Sequence, residues 1–435
     1  MPPAIIGNII ILVVLLIAGV PVFFCFAASL VFLVVVGGFD PSFLLPYGFY
    51  KMSSIVLLAL PLFIVAGNLM GEGGISKPLI DLAESLIGRV KGKLGMVGVV
   101  SCALFGAMSG SGAATLAAIG GIMLPRMKER GYPPGHSAAL MGCASILGLL
   151  IPPSLLQVLY GWVTQTSIAG CFLSTAIPGV ILTIWLCFLN WLMLRREPGL
   201  ELSPKQSFKE RVKTIGVNTR HAAFGLFAPF IILGGIYGGI FTPTEAAAVA
   251  AVYAIPVGFF VYHALSREKL IDCIIKSASQ TGMIMVMLYC MMMLSRIYIM
   301  ENVPQHIATF LTGISENKYV ILLMVNVFLL IIGMLMDDAS GVLLCAPLLF
   351  PVVTSIGVHP FHFAAIIGTN LGMGNITPPC APLLYFAQSL GEVGFDKVIK
   401  PAIILIVFGF FPVVLLTTYL PELSLFLPRL AGFVH

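Results

Sequence analysis

The sequence predicts an all-α polytopic membrane protein made of two inverted-topology repeats, and three observations predict it. Apolar stretches of about 18–25 residues, the length that crosses a bilayer core, recur from end to end. Only 9% of the 435 residues are charged and 59% are hydrophobic, with a mean hydropathy of +1.05, whereas a soluble domain carries roughly 25% charged residues. Finally, the two halves share one pattern of prolines and glycines. The alternating ten-residue pattern of an outer-membrane barrel is absent.

The repeat is exact in register. A shift of 226 positions places Pro125 on Pro351, Gly131 on Gly357, Pro134 on Pro360 and His136 on His362. It also places Gly142, Gly148, Pro152 and Pro153 on Gly368, Gly374, Pro378 and Pro379. Chance matches would favour Leu, Val and Ala. The loop after Pro125, RMKERGYPP, carries Arg126, Lys128 and Arg130, while its partner after Pro351, VVTSIGVHP, has no Arg or Lys. Cytoplasmic loops collect Lys and Arg, so one loop is inside, the other outside, and the repeats are inverted. Inverted repeats are the architecture of secondary transporters.

Candidate spans are 4–18, 20–36, 51–70, 137–163, 173–194, 222–240, 244–263, 277–300, 362–388 and 401–420. The N-terminus MPPAIIGNII has no basic region, and the first Lys is Lys51, so it reads as a retained helix rather than a cleaved signal. The first repeat covers 1–194. The polar stretch 195–220 carries seven Arg or Lys and reads as a cytoplasmic linker. The second repeat covers 221–435. Counted from the basic loops, both termini lie outside. Basic residues confined to short loops are not a phosphate-tracking face, so nucleic acid is excluded as a partner and the lipid bilayer takes its place. The nine cysteines lack CxxC spacing and read as small buried hydrophobes.

Two regions do not fit a simple span. Residues 94–124 consist of two short arms meeting at Ser109-Gly110-Ser111-Gly112, with basic residues at both outer ends. Each arm reaches roughly 17–23 Å at about 1.5 Å per residue, short of a core of about 30 Å. A re-entrant hairpin follows. Its counterpart at 320–350 turns at MDDASG (336–341) and enters from the opposite face. Each hairpin precedes a helix broken by a Pro-Pro pair, in 137–163 and 362–388. Proline removes a backbone donor and disfavours helix just before it, and unwound backbone at membrane depth is tolerated where it lines a cavity. Exposed carbonyls there suit Na⁺, and half-helix N-termini suit a carboxylate.

Two pseudo-symmetric sites result. One joins Ser109, Gly110 and Ser111 to Ala144, Ser145 and Gly148; the other joins Asp337, Asp338 and Ser340 to Asn370, Gly374 and Thr377. Each has a plainer reading. Small residues mark close helix packing, an Asp caps the helix after it, and Thr377 is a stop before Pro378. Carboxylates at membrane depth nonetheless favour ion binding. Glu245 in TPTEAAA forms a capping box with Thr242. Arg296, near the end of its span, snorkels to the interface, with contact to a substrate anion as the second reading. No Lys or Arg is otherwise placed to neutralise an anion, which argues that bound cations do so. None of the histidines is placed for a proton relay. Residues 75–88 and 303–314 match at the same offset and read as amphipathic arms.

SGSGAA (109–114), LLIPPS (149–154), GGIFTPTEAAAVAA (238–251), MDDASG (336–341) and TPP (377–379) together resemble the large membrane (M, DctM-like) subunit of tripartite ATP-independent periplasmic (TRAP) transporters. The resemblance covers nearly the whole chain. It implies an elevator-type scaffold plus transport domain in a bacterial inner membrane, a separate small four-helix membrane subunit, and a periplasmic substrate-binding protein. It further implies Na⁺-driven import of organic acid anions, C4-dicarboxylates and sialic acid among them, with two bound Na⁺ and no organic cofactor. By position, Ser111, Gly112, Pro152, Ser340 and Thr377 would line the substrate. A standalone Na⁺/dicarboxylate symporter of related fold is the nearest alternative. No GxxxxGK[ST] occurs, so ATP is not used by this chain. An intramembrane serine protease would need a His at depth facing Ser109 or Ser111, and the sequence offers none; the chain is not read as an enzyme.

Overall fold

The computed structural model describes residues 2–197, 199–200 and 208–434, so part of the expected linker, 198 and 201–207, lies outside the described residues. Among these residues the structure is helical throughout, and eight helices are long and apolar enough to cross a membrane. In chain order α1 is Pro3–Ile17, α2 Val22–Val35, α3 Pro41–Met52, α4 Ala59–Glu72 and α5 Ser76–Leu86. The first hairpin is α6 (Lys93–Ser109) and α7 (112–129), where a π turn interrupts α7 at Leu116–Gly120. Next come α8 (Pro134–Leu150), α9 (Leu155–Thr164) and α10 (Ile168–Leu194).

The second half repeats the first. Helices α11 (Phe208–Tyr237), α12 (Pro243–Val261) and α13 (Arg267–Met300) precede α14 (Val303–Ile314). The second hairpin is α15 (Lys318–Leu335) and α16 (Asp338–Ser355), followed by α17 (Pro360–Gly374), α18 (Pro382–Gly391), α19 (Phe395–Tyr419) and α20 (Glu422–Leu430). Shifted by 226, the bounds of α5 to α10 fall within two residues of those of α14 to α19. Helix α13 holds in one 34-residue piece what α3 and α4 supply in two.

The symmetry is also visible in side-chain contacts. Gly142 packs on Leu383, and Gly368, the equivalent of Gly142, packs on Gln157, the equivalent of Leu383. Ile146 lies against Gly372, its own equivalent, and Leu150 against Gly368. Contacts that ascend along α8 while descending along α17 mean that equivalent helices cross antiparallel. The two-fold axis therefore runs across the helices, and the repeats are inverted. His136 and His362, also equivalent, are both buried. The first bonds Asn190 on α10 at 3.0 Å and the second the Thr417 carbonyl on α19 at 2.8 Å. Each pins the start of a broken helix to the last long helix of its repeat.

Several boundaries differ from expectation. Helix α3 is not among the expected spans, because Pro46 and Lys51 interrupt its apolar run. The hairpin arms extend past 94–124 and 320–350. Helix α6 has 17 residues and α15 and α16 have 18 each, about 25–27 Å at 1.5 Å per residue. Arg126 and Lys128 lie in the last turn of α7, where cations suit the helix dipole, so Pro125 does not end it. Residues 208–220 are the first turns of α11 rather than loop. The capping box forms as expected: Thr242 N donates to Glu245 Oε2 at 2.8 Å and Glu245 N to Thr242 Oγ1 at 3.3 Å. The nine cysteines are free, and only Cys380 is exposed.

Packing divides the helices into two groups. Helices α2, α3 and α4 lie against α12 and α13, and the hairpins, the broken helices, α10 and α19 form the other group. Helix α5 bridges them, packing on α6 and on α11.

Candidate functional site

The first hairpin turns on two residues. Gly110 ends α6 at φ +63°, and a Cβ there would lie 2.9 Å from the Pro153 carbonyl, so both conformation and space demand glycine. Ser111 is extended, at φ −137° and ψ 131°, and its Oγ accepts from Ala114 N at 3.4 Å to cap α7. The turn is tied to the broken helix, because Leu155 N, opening α9, donates to the Gly110 carbonyl at 3.1 Å. Ser109 and Thr115 hydroxyls meet at 2.9 Å, and Thr115 Oγ1 donates to the Ser111 carbonyl at 2.8 Å.

The expected partner strip arrives at this turn. A Cβ on Gly148 would stand 2.7 Å from the Ser111 carbonyl oxygen, and one on Gly112 would stand 3.4 Å from the Ser145 carbonyl. Gly106 meets Gly148 backbone to backbone, with 2.7 Å between its would-be Cβ and Gly148 Cα. The Ser145 hydroxyl turns back to the Gly142 carbonyl at 2.7 Å, so Ser145 presents its carbonyl to the turn. Ala144 is buried in the same helix and contributes no side-chain oxygen. Beyond it α8 unwinds at Ile151, the Pro152–Pro153 bond is cis, and α9 leaves at 43° to α8.

At the second turn Met336 and Asp337 are extended, and Asp337 sits where Ser111 does, at the cap of the hairpin's second arm. Ser340 Oγ donates to Asp337 Oδ1 and faces Met287 Sδ of α13 at 2.8 Å. Asp337 is exposed, Asp338 half-buried and Ser340 buried. Gly374 packs on Gly333 with 2.5 Å from its would-be Cβ to Gly333 Cα. Both repeats thus press a glycine of the hairpin's first arm against the glycine that closes the broken helix. Pro378–Pro379 is cis, as in the first repeat.

Three other sequence candidates are held by partners of their own. Asn370 donates to Asn326 Oδ1 at 3.0 Å, and Asn326 in turn reaches Thr418 at 3.0 Å. Asn326 lies ten residues before Met336 on the chain, about 15 Å along the helix, so Asn370 faces the arm and not the Asp337–Ser340 turn. Thr377 Oγ1 donates to the Met373 carbonyl at 2.6 Å, which serves the turn itself. Arg296 is exposed, with its guanidinium 5.4 Å from the Tyr47 ring centre. It sits nine residues beyond Met287 on α13, about 13 Å along that helix, away from Ser340.

Residues not singled out from the sequence also line these strips. Thr115 completes the first turn. Ser154 Oγ, Gln157 Oε1 and Asn375 Oδ1 are buried acceptors without a protein partner. Gln157 Nε2 joins the repeats by donating to the Ala364 carbonyl at 3.1 Å. Isolated amides within apolar helices were the available signal. No three His, Cys, Asp or Glu gather into a metal cluster among the described residues. The oxygens at the turns are mainly carbonyls and hydroxyls, donors suited to a hard cation.

Residues 9–423 match the tripartite ATP-independent periplasmic transporter, DctM component. The chain is 36% identical to the C4-dicarboxylate TRAP transporter large permease protein DctM of Pseudomonas aeruginosa, over 86% of this chain and 87% of that one. It is 33% identical to the sialic acid large permease SiaM of Vibrio cholerae, over 96% of each. It is also 36% identical to the isethionate permease DctMQ of Oleidesulfovibrio alaskensis, covering 94% of this chain but 64% of that longer protein. In fold it is similar to the Alcanivorax borkumensis YdaH transporter, described as having an unusual topology, at TM-score 0.59, 16% identity and 88% of this chain. Inverted helical repeats, paired hairpin turns and a sequence match along nearly the whole length agree: this multi-pass membrane protein is a transporter component and belongs to the DctM family of TRAP large permeases.

Proposed function

We propose that the chain is the translocating large subunit of a Na⁺-coupled, binding-protein-dependent importer of organic acid anions. The observation that carries this reading is the pairing of each hairpin turn with its broken helix: Ser111 and Gly148 meet in one repeat, and Gly333 and Gly374 in the other. One Na⁺ at the Ser111 turn would take backbone carbonyls of Ser111 and Ser145 with the hydroxyls of Ser109 and Thr115. A second, near Asp337, Asp338 and Ser340, would have a carboxylate in reach. The acid group of the substrate binds between them, beside Ser111, Gly112, Pro152, Ser340 and Thr377, where cations and half-helix N-termini offset its charge.

Relatives named for C4-dicarboxylate, sialic acid and isethionate support the class of small organic acid, carboxylate or sulfonate. The family supports two partners, a small membrane subunit and a periplasmic binding protein. The group containing the hairpins moves as a body against the group built on α4, α12 and α13, the elevator form of alternating access. Both termini face the periplasm. Reconstitution of the chain with and without a cognate binding protein and small subunit tests the assignment. Uptake is expected only with all three parts and a Na⁺ gradient; uptake by the chain alone would instead mark a standalone symporter.

A further inference from the structure

We propose that the second hairpin turn alone is the gate of the transport site, and that the first turn stays sealed on its broken helix throughout the cycle. The proposal rests on the function assigned above and follows from how differently two equivalent turns are fastened. In the first repeat the unwound backbone bonds the hairpin, because Leu155 N donates to the Gly110 carbonyl at 3.1 Å. The 226-position shift places Leu155 on Ala381 and Gly110 on Met336. Ala381 instead enters the left-handed region at φ +33°. Among the described residues no hydrogen bond joins 336–341 to 377–382. The second break is closed by its own chain: Leu383 N, in the first turn of α18, donates to the Asn375 carbonyl at 3.2 Å. Leu335 and Gly341 also stand where Ser109 and Thr115 do, so the hydroxyls that lash the first turn have no counterpart in the second.

Exposure follows the same division. Pro152, Pro153 and Ser154 are buried, whereas of their equivalents Pro378 is half-buried and Pro379 and Cys380 are exposed. Asp337 is exposed where Ser111 is half-buried. Just before the exposed strip, Asn375 Oδ1 is buried without a partner, and its equivalent in the first repeat is the apolar Leu149. An acceptor is thus left free for a ligand at the second break and not at the first.

These contacts set which turn can lift. Opening the first would break a backbone bond and strand a buried N–H and C=O, which folds avoid. Opening the second breaks no bond to its strip. Its support is α13, where Ser340 Oγ faces Met287 Sδ at 2.8 Å. That helix also carries Met283, Met285, Met291, Met292 and Met293, and unbranched thioether chains repack as a neighbour moves. The acid anion and its cation pass between Met336–Ser340 and Thr377–Pro382.

The first test applies a small cationic thiosulfonate to the full chain in mild detergent, in choline and then in Na⁺, and reads labelling by peptide mass. Cys380 is expected to react. Ser154→Cys, its equivalent, in a Cys380→Ser background should react at least tenfold more slowly in both media. The second test combines Met336→Cys and Ala381→Cys with Cys380→Ser and reconstitutes the chain with its small subunit and loaded binding protein. Oxidation joins the pair, and entry of radioactive Na⁺ is expected to fall at least tenfold and to return with reductant. An unreactive Cys380, a Ser154→Cys that reacts as fast as Cys380, or Na⁺ entry that survives the cross-link would overturn the proposal. A parent without Na⁺ entry would instead overturn the assigned function, and the labelling rates would still decide the gate.

Discussion

Gly148→Ala perturbs the meeting of hairpin and broken helix most directly. The added Cβ would lie 2.7 Å from the Ser111 carbonyl oxygen and 3.1 Å from its carbon. It would also crowd Thr115 Oγ1, which can rotate, whereas the Ser111 carbonyl is backbone and moves only with the turn. Ordinary contact begins near 3.4 Å, so the turn must retreat by ~0.7 Å. Overpacking of this size costs about 1–3 kcal/mol, a factor of roughly 5–150 in an equilibrium constant. Because the displaced atom is a proposed Na⁺ ligand, much of that loss should fall on ion binding. The assay is uptake into proteoliposomes holding the chain and its partners, with Na⁺ titrated outside. We expect half-maximal uptake to need at least about fivefold more Na⁺ in the variant. Gly121→Ala, in the adjoining hairpin arm α7 and with nothing within 4 Å of its would-be Cβ, should match the parent. A folded Gly148→Ala protein with the parental Na⁺ requirement would refute the reasoning.

Further outcomes follow from the same contacts. Ser111→Ala and Asp338→Ala should each raise the Na⁺ needed for half-maximal uptake more than they weaken partner binding; an unchanged Na⁺ dependence in both removes them from the site. Glu245→Ala breaks the capping box and should lower stability by about 1 kcal/mol, read as a lower melting temperature, with the Na⁺ titration unaltered. Arg296→Gln loses its contact with Tyr47, worth about 0.5–1 kcal/mol at an exposed site; loss of substrate affinity without loss of stability would place Arg296 in the binding path after all. Asn326→Ala leaves the Asn370 amide short of a buried acceptor and should destabilise by about 1–3 kcal/mol in thermal unfolding.

Much of the architecture was legible because proline and glycine carry backbone information. Gly110, Gly148 and Gly374 could be singled out, since packing at all three and a positive φ at Gly110 forbid a side chain, and Gly148 on Gly374 is among the matches that exposed the repeat. Helix α3 was not legible, because hydropathy weighs Pro46 and Lys51 against a span while packing on α13 holds the helix in place. Asn370 was placed in the ion site on its type and position, but which neighbour it meets depends on helix rotation, and rotation turns it to Asn326. Gly106 and Gly333 were missed for a related reason. A glycine in an apolar helix signals close approach without naming its partner. The Ser109–Thr115 contact spans a turn whose geometry only the coordinates supply.

The power of Na⁺ in the transport rate is the most direct measure of the central idea, that equivalent kinks from two mirrored halves each grip a cation. With chain, small subunit and loaded binding protein together, uptake should rise steeply and sigmoidally with Na⁺ and vanish when choline replaces it. Uptake that proceeds equally in choline, or that rises along a simple hyperbola, would contradict it.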